Sequence, residues 1–381
     1  MKPADIVVIG GGVVGLSVAF HLARSRAGSV LVLERDKFLG TGSTGKCAGG
    51  IRQQFASAPN VILSRESVKF LERFEEETGV TCDFFQNGYL FLLSGEEQLA
   101  HFRGNVELQR SLGVDSRLIT PQEVLEIVPQ VSLEGVVGAT FCPTDGLASP
   151  HEMTQGFAKA ARDHGAQILA EVEATGLEVR AGRVCGVRTA QGDIPTRAVV
   201  NAAGPYARQV AAWAGVDLPV QPVRRHVFTT RPLDFLTVRF PMVVDMLSGV
   251  YMHQESGGML MGLADKREPY GFNEDVDWNF MPVVVEAAMQ RIPALEEAEI
   301  LTGWAGLYED TPDHNAVLGP VAGVEGLFLA NGFSGHGLMH APAAGRVVAD
   351  AVLGRPLPPE LAALGFERFA RGGLEPEAEV I

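Results

Sequence analysis

Apolar and polar positions along this chain follow two rhythms that trade places. Ile6 to Ile9 is an uninterrupted apolar run and reads as a buried strand; a helical pattern follows over Val14 to Ala23, then a second apolar run over Val30 to Leu33. Parallel strands covered on both faces have this continuous character. Asn60 to Thr78 predicts an amphipathic helix with Ile62, Val68, Leu71 and Phe74 on one face. A strand is predicted over 88–93 and a helix over Glu96 to Leu112. Thr120 and Pro121 then supply the residue types of a helix cap and a first helical position. Gly138 to Ser149 reads as loop-rich, and Pro150 to His164 as a helix.

The second half is richer in strands. Short apolar runs separated by tight turns between Gln167 and Gly204 predict hairpins, ending in the strand-to-glycine turn AVVNAAG. Strands are expected near 223–230, 241–252 and 258–263, with a helix over about 282–292. The tail returns to the opening pattern: a strand over Leu327 to Ala330, a Gly-rich turn, and a helix from about Leu338 to Leu353. Similar strand–turn–helix units at both ends imply one discontinuous domain with a second lobe inserted. The division expected is 1–84, 146–216 and 306–381 against 85–145 and 217–305.

Glycine spacing adds chemistry to the first unit. Gly10, Gly12 and Gly15 fit G-x-G-x-x-G between the first strand and the first helix, and Glu34 ends the second strand about 20 residues on. In such a unit the first glycine permits a tight turn, the second lets a pyrophosphate approach the backbone, and the third lets helix and strand pack closely. The helix N-terminus attracts the phosphates, and the acid accepts hydrogen bonds from ribose hydroxyls. Dinucleotide binding follows.

Composition removes other classes. The chain has 381 residues, 46% hydrophobic and 20% charged, which describes a well-cored globular protein. A net charge of −15, with no dense basic patch, argues against nucleic acid as a partner. No apolar run reaches the length of a membrane span. The four cysteines are scattered, so neither a zinc site nor a disulfide framework is expected. With the strand signal starting at residue 5, no leader segment is expected; the scattered cysteines make the cytoplasm the expected location.

Five stretches taken together resemble the D-amino-acid-oxidase-like family of FAD-dependent amine oxidoreductases. They are GGGVVG with Glu34, the loop 42–55, VVNAAGPYA (199–207), TPDHNAVLGP (311–320) and NGFSGHGLMHAP (331–342). Within that family the chain is similar to the β subunits of sarcosine oxidase and proline dehydrogenase, and to dimethylglycine dehydrogenase. The resemblance spans the chain from end to end. It implies a Rossmann-like FAD-binding domain with an inserted mixed-sheet substrate domain, an α/β plus α+β fold. It also implies an enzyme that oxidises a small secondary amine acid of the sarcosine, N-methyl or proline type, with hydride passing from the α-carbon to flavin N5. The alternatives are an oxidase or deaminase for a primary amino acid, and an FAD-binding assembly protein without turnover; an NAD-dependent dehydrogenase ranks last.

The same resemblance assigns residues. Gly10, Gly12, Val14, Gly15, Glu34 and Arg35 would hold the ADP half of FAD, with Val172, Ala203 and Gly204 beside it. Ser43, Thr44, Cys47, Ala48, Gly49 and Gly50 form the Gly-rich loop over the cofactor. Gly306 and the turn Gly332, Phe333, Ser334, Gly335, His336, Gly337 and Met339 would lie at the flavin. Arg52 would bind the substrate carboxylate, with Tyr251, His253 and His336 completing the catalytic set. Two departures from monomeric sarcosine oxidases matter. No cysteine occurs in 304–308, which implies non-covalent FAD. Met339 also stands where that subgroup has a lysine tied to oxygen reactivity, which favours the dehydrogenase or multi-subunit branch. In that branch an additional FMN sits at a subunit interface, with the Cys47 loop on the side expected for it. Partner subunits or a homo-oligomer are the assemblies expected.

Overall fold

A computed structural model describes residues 1–236, 240–372 and 374–380. Its first sheet is built around Ile6–Ile9, all four residues of which are buried. That strand pairs in parallel with Val30–Leu33 on one side and Ala198–Asn201 on the other. Gln167–Leu169 and Leu327–Asn331 extend the parallel set, and antiparallel Val317–Pro320 closes one edge. The helices Val13–Arg24, Pro150–Asp163 and Gly337–Val352 contribute Leu16, Phe20, Phe157 and Val348 to a core with Ile6 and Val8. On the opposite face Val7, Val199 and Leu329 pack with Leu177 and Val187 of a small antiparallel sheet. Burial on both faces explains the unbroken apolar runs.

The second sheet has eight strands in the order Ile300–Asp310, Gln221–Thr230, Gly258–Leu263, Tyr251–Glu255, Met242–Asp245, Tyr89–Leu93, Gly138–Cys142, Arg117–Ile119. Its two faces follow the alternation of side chains along each strand. Leu90, Leu92, Phe228 and Met252 pack with Val284 of the helix Met281–Arg291. Tyr89, Phe91, Val227, Met242 and Tyr251 lie in the cluster on the other face, against which Ala48 of the Gly-rich loop packs. The fold is therefore a Rossmann-like domain joined to a mixed-sheet lobe, with the second face of that lobe turned toward the first domain.

Local departures from the sequence reading have physical causes. The helix expected over 60–78 is two helices, Ala58–Leu71 and Phe74–Thr78, because Arg73 leaves helical geometry (φ −120°, ψ 18°). Phe74 then packs against Gly156, where a Cβ would come within 2.4 Å of its ring. The strand expected over 241–252 is broken into Met242–Asp245 and Tyr251–Glu255 by a turn in which Asp245 accepts hydrogen bonds from Ser248 N–H (3.1 Å) and Ser248 Oγ (2.7 Å). The stretch 138–149, read as loop, contains Gly138–Cys142, a fully buried strand paired on both sides. The strand Ile300–Asp310 belongs wholly to the second sheet, so the boundary expected at 305/306 falls inside it.

Candidate functional site

One continuous cavity runs between the two sheets, from the start of helix Val13–Arg24 to the start of helix Gly337–Val352. At its first end the strand Ile6–Ile9 turns through Gly10 (φ +115°), where a Cβ would meet the Ala202 carbonyl oxygen at 2.2 Å. A Cβ on Gly15 would meet Gly10 O at 2.1 Å, so both positions admit only glycine. Gly12 caps the helix and offers no side chain of its own; the Val13 N–H donates to Thr44 Oγ1 (3.3 Å), and Gly12, Val13, Val14 and Gly15 line the cavity here. Glu34 accepts hydrogen bonds from the N–H of Gly11 and of Asp36, each at 2.8 Å. A carboxylate oxygen pair has about four acceptor positions, so these two N–H groups leave capacity for other donors. Beyond it, the Arg35 guanidinium lies 3.8 Å over the Tyr206 ring, which stacks in turn on Phe272. Val172, Ala203 and Gly204 line the same end.

The Gly-rich loop spans the middle of the cavity, with Ser43, Thr44, Cys47, Ala48, Gly49 and Gly50 all in the lining. Ser43 Oγ donates to Leu307 O (2.6 Å) and Trp304 Nε1 donates to Lys46 O (2.9 Å), which pins the loop to the strand Ile300–Asp310. Gly306 on that strand gives way to the loop, since a Cβ there would lie 2.8 Å from Lys46 Cβ. Burial pushes the Cys47 thiol up to about 11, so it remains a neutral thiol at physiological pH.

Arg52 follows this loop and is 1% exposed. Its guanidinium lies over the Phe55 ring at 3.9 Å. Nη1 donates to the Gln54 carbonyl, and Nη2 donates to the Glu379 carbonyl and to His336 Nε2 (3.1 Å). None of these partners carries negative charge. Burial, and then the Arg52 charge, hold the His336 imidazole well below its ordinary value. It is therefore neutral, with Nε2 serving as the acceptor. Behind Arg52, buried Asp145 accepts from Gln53 N–H (2.9 Å), Gln53 Nε2 (3.1 Å) and Gln54 Nε2 (3.1 Å).

The second turn presents Phe333, Gly335, His336, Gly337 and Met339 to the cavity, at a helix end capped by no side chain. Gly332 and Ser334 lie outside the lining and brace the turn from behind: Gly332 N–H donates to Glu309 Oε2 (3.0 Å), and Ser334 Oγ accepts from Thr311 N–H (3.2 Å). His253 is also outside the lining. Its Nε2 lies 2.8 Å from Ala48 O and its Nδ1 2.9 Å from Gln254 O, while Tyr251, two residues earlier, does face the cavity.

Four ionisable lining residues at this end escaped the sequence reading: Tyr89, Arg225, Tyr308 and Glu309. Tyr308 and Glu309 lie within three residues of the 311–320 motif, which was the available signal. Tyr89 and Arg225 sit on strands that give no local sign of chemistry. Burial raises the phenols of Tyr89, Tyr251 and Tyr308 above their ordinary range, keeping all three protonated and able to donate. Burial likewise raises the Glu309 carboxyl to about 7.

A glycine cradle facing one helix end, a ribose-type carboxylate and a second uncapped helix end fit a long dinucleotide with a flavin at its far tip. The sequence profile described as "DAO: FAD dependent oxidoreductase" matches residues 5–351. The chain belongs to this FAD-dependent oxidoreductase family. Among its relatives, mitochondrial dimethylglycine dehydrogenase of Rattus norvegicus is 30% identical over 388 residues, covering 97% of this chain and 45% of the relative. The chain thus spans less than half the length of that relative. The solved L-proline dehydrogenase from P. horikoshii superposes with a TM-score of 0.92 at 38% identity, covering 98% of this chain and 100% of that one. Glycine oxidase from Geobacillus kaustophilus superposes with a TM-score of 0.85 at 27% identity, covering 97% and 99%.

Proposed function

We propose that this chain oxidises a small secondary amine acid of the sarcosine, N-methyl or proline type, with Arg52 holding the substrate carboxylate. The observation that carries this reading is a wholly buried guanidinium in the cavity wall whose three partners are all neutral. A buried cation without an anion is costly, and a bidentate carboxylate answers it in geometry and charge. The names of the dimethylglycine and proline dehydrogenases that the chain resembles agree with such a substrate.

Bound FAD would supply the electron-pair acceptor, taking a hydride from the substrate α-carbon at flavin N5 while the nitrogen lone pair closes an imine. The chain's own residues do the positioning. Arg52 fixes the carboxylate, and the hydroxyls of Tyr251, Tyr89 and Tyr308 bound the space around it. Arg52 and Arg225 together disfavour an ammonium beside them and so favour the neutral amine that the reaction needs. The open N–H groups at Gly337 offer a positive dipole end to charge that develops at the flavin. We assign the FAD contacts to the residues lining the first end and the two glycine turns. We propose non-covalent attachment, on the resemblance to monomeric sarcosine oxidases, whose tethering cysteine has no counterpart in 304–308.

A second reading, oxidation of a primary amino acid, draws on the likeness to glycine oxidase; a third is an FAD-binding assembly role without turnover. Anaerobic mixing with sarcosine, L-proline and glycine in turn, followed by visible absorption, separates all three. Bleaching by sarcosine or proline supports the first reading, bleaching by glycine alone the second, and bleaching by none refutes both enzymatic ones. Readmitting air then tests oxygen as acceptor, against which Met339 counts.

We propose further that partner subunits share an FMN near the Cys47 loop; absence of FMN from extracts of the intact assembly would refute this. The cytoplasmic location rests on the four cysteines, all free thiols. Among the described residues no helix is long and apolar enough to cross a membrane.

A further inference from the structure

The segment Glu375 to Val380 has no regular secondary structure, yet Glu377 is 1% and Glu379 2% exposed. Acidic residues in an irregular segment ordinarily lie in water, so their burial calls for a cause. Glu377 reaches the start of helix Ala58–Leu71, whose N-cap Ser57 makes no capping bond of its own. Its carboxylate accepts from Ala56 N–H (2.8 Å), Ser57 N–H (3.2 Å), Ser57 Oγ (2.8 Å) and Asn60 Nδ2 (2.9 Å). A negative charge at a helix N-terminus is stabilised by the helix dipole as well as by these donors. That helix begins just after Arg52 and Phe55, so one carboxylate ties together the distant segment and the stretch that carries the arginine.

Glu379 completes the link in an unusual division of labour. Its carboxyl hydrogen-bonds Asn105 Nδ2 (3.0 Å) and His101 Nε2 (3.0 Å) rather than Arg52, although the guanidinium charge is near enough to act on it. Its backbone carbonyl is what accepts from Arg52 Nη2. A carbonyl dipole orients a guanidinium without cancelling its formal charge, whereas a carboxylate in the same place would neutralise it. The geometry points to segment 375–380 as part of the substrate site: Glu379 is a positioning residue that, through its carbonyl, aims Arg52 at the substrate carboxylate, and Glu377 is the anchor that keeps it there. This rests on the reading that Arg52 binds that carboxylate. Without the segment, Arg52 would gain rotamer freedom and water, and both weaken its hold on an anion.

The test is a double-mutant cycle on the FAD-loaded protein, with methylthioacetate, an unreactive thioether carboxylate, titrated against the visible flavin spectrum. Glu377→Ala and Arg52→Leu are each expected to raise the dissociation constant roughly ten-fold or more, the scale of one lost charge-assisted hydrogen bond. The double variant should bind no more weakly than Arg52→Leu alone, since both changes act through one group. Glu377→Gln, which keeps one acceptor oxygen, should fall between wild type and Glu377→Ala. With substrate, the Glu377 variants should change KM far more than kcat. FAD content and melting temperature identify any variant that fails to fold, and a chain shortened after Leu374 then takes the place of Glu377→Ala. Unchanged binding in the Glu377 variants and the shortened chain, with weakened binding in Arg52→Leu, overturns the proposal alone. Effects that multiply in the double variant overturn it too. Unchanged binding in Arg52→Leu, or none in wild type, overturns the underlying reading.

Discussion

Glu309 and Gly332 are joined behind the second turn, with Glu309 Oε2 accepting the Gly332 N–H at 3.0 Å. The contact holds the turn that leads into the second helix end, and it titrates. Burial raises Glu309 to about 7, although the N–H groups of Gly332 and Phe333 pull the other way. In the unfolded chain a glutamate sits near 4.3. The folded value is therefore raised, so Glu309's contribution to stability is fully present below about pH 4 and is lost as pH rises through about 7. Glu309→Gln keeps an acceptor and removes the titration. Melting temperatures of the FAD-loaded proteins at pH 5 and pH 8 should show wild type losing more stability across that span than the variant. Two parallel curves would refute the assignment.

Asp145 supports Arg52 from behind by organising the two glutamines after it. Asp145→Leu would strand the buried Gln53 N–H, whereas Gln53 Nε2 keeps Thr144 Oγ1 (2.9 Å) and Gln54 Nε2 keeps the Tyr89 carbonyl (2.9 Å). A loss of about 2 kcal/mol in urea unfolding is expected, within the usual range for one stranded buried donor. The same variant should raise KM for an amino-acid substrate through the loosened Arg52. An unfolding midpoint equal to wild type would show that the network carries no stability.

Gly15 tests the cradle. A Cβ there would overlap Gly10 O at 2.1 Å, and helix and turn would have to separate. Gly15→Ala should therefore yield protein with little or no flavin, read from the ratio of absorbance at about 450 nm to that at about 280 nm, a check on the close-packing role of the third glycine. Gly104, on helix Glu96–Ser111 and outside the cavity lining, is the control, since its Cβ would meet nothing within 4 Å: Gly104→Ala should keep its flavin.

The first domain was legible because its strands are buried on both faces and its turns demand glycine, so Ile6–Ile9, Gly10, Gly15 and Glu34 announce themselves. The strand Gly138–Cys142 was hidden by the opposite circumstance: it is short, starts with glycine, and owes its place to partners at 89–93 and 117–119. Arg52 was readable from the motif around it. Arg225 was not, because its position depends on a pairing between Gln221–Thr230 and Ile300–Asp310 that no local pattern encodes. Alternation along the strand Tyr251–Glu255 rightly put Tyr251 and His253 on one side. It could not tell that the cavity stops short of His253, whose ring is buried against the Ala48 carbonyl instead.

Arg225 yields the sharpest test of the electrostatics at the substrate end. It stands opposite Gly306 in the strand register. Its Nη1 donates to Arg224 O (3.0 Å), its Cζ lies 5.2 Å from the centre of the Tyr308 ring, and its Nε is buried with no partner. A cation so placed lowers the pKa of a bound ammonium, because it penalises the charged form of its neighbour. Oxidation requires the neutral amine, so the rate of flavin reduction at saturating substrate should rise with pH and level off above that pKa. Arg225→Met removes the cation while keeping the length of the side chain. The bound amine should then hold its proton to higher pH, moving the midpoint of the profile upward by about 0.5 to 1 unit, the scale expected for one partly buried charge nearby. Stopped-flow reduction between about pH 6 and 10 reads the shift directly. A midpoint that does not move, in a variant that binds FAD and is still reduced by substrate, would place Arg225 too far from the amine to act on it.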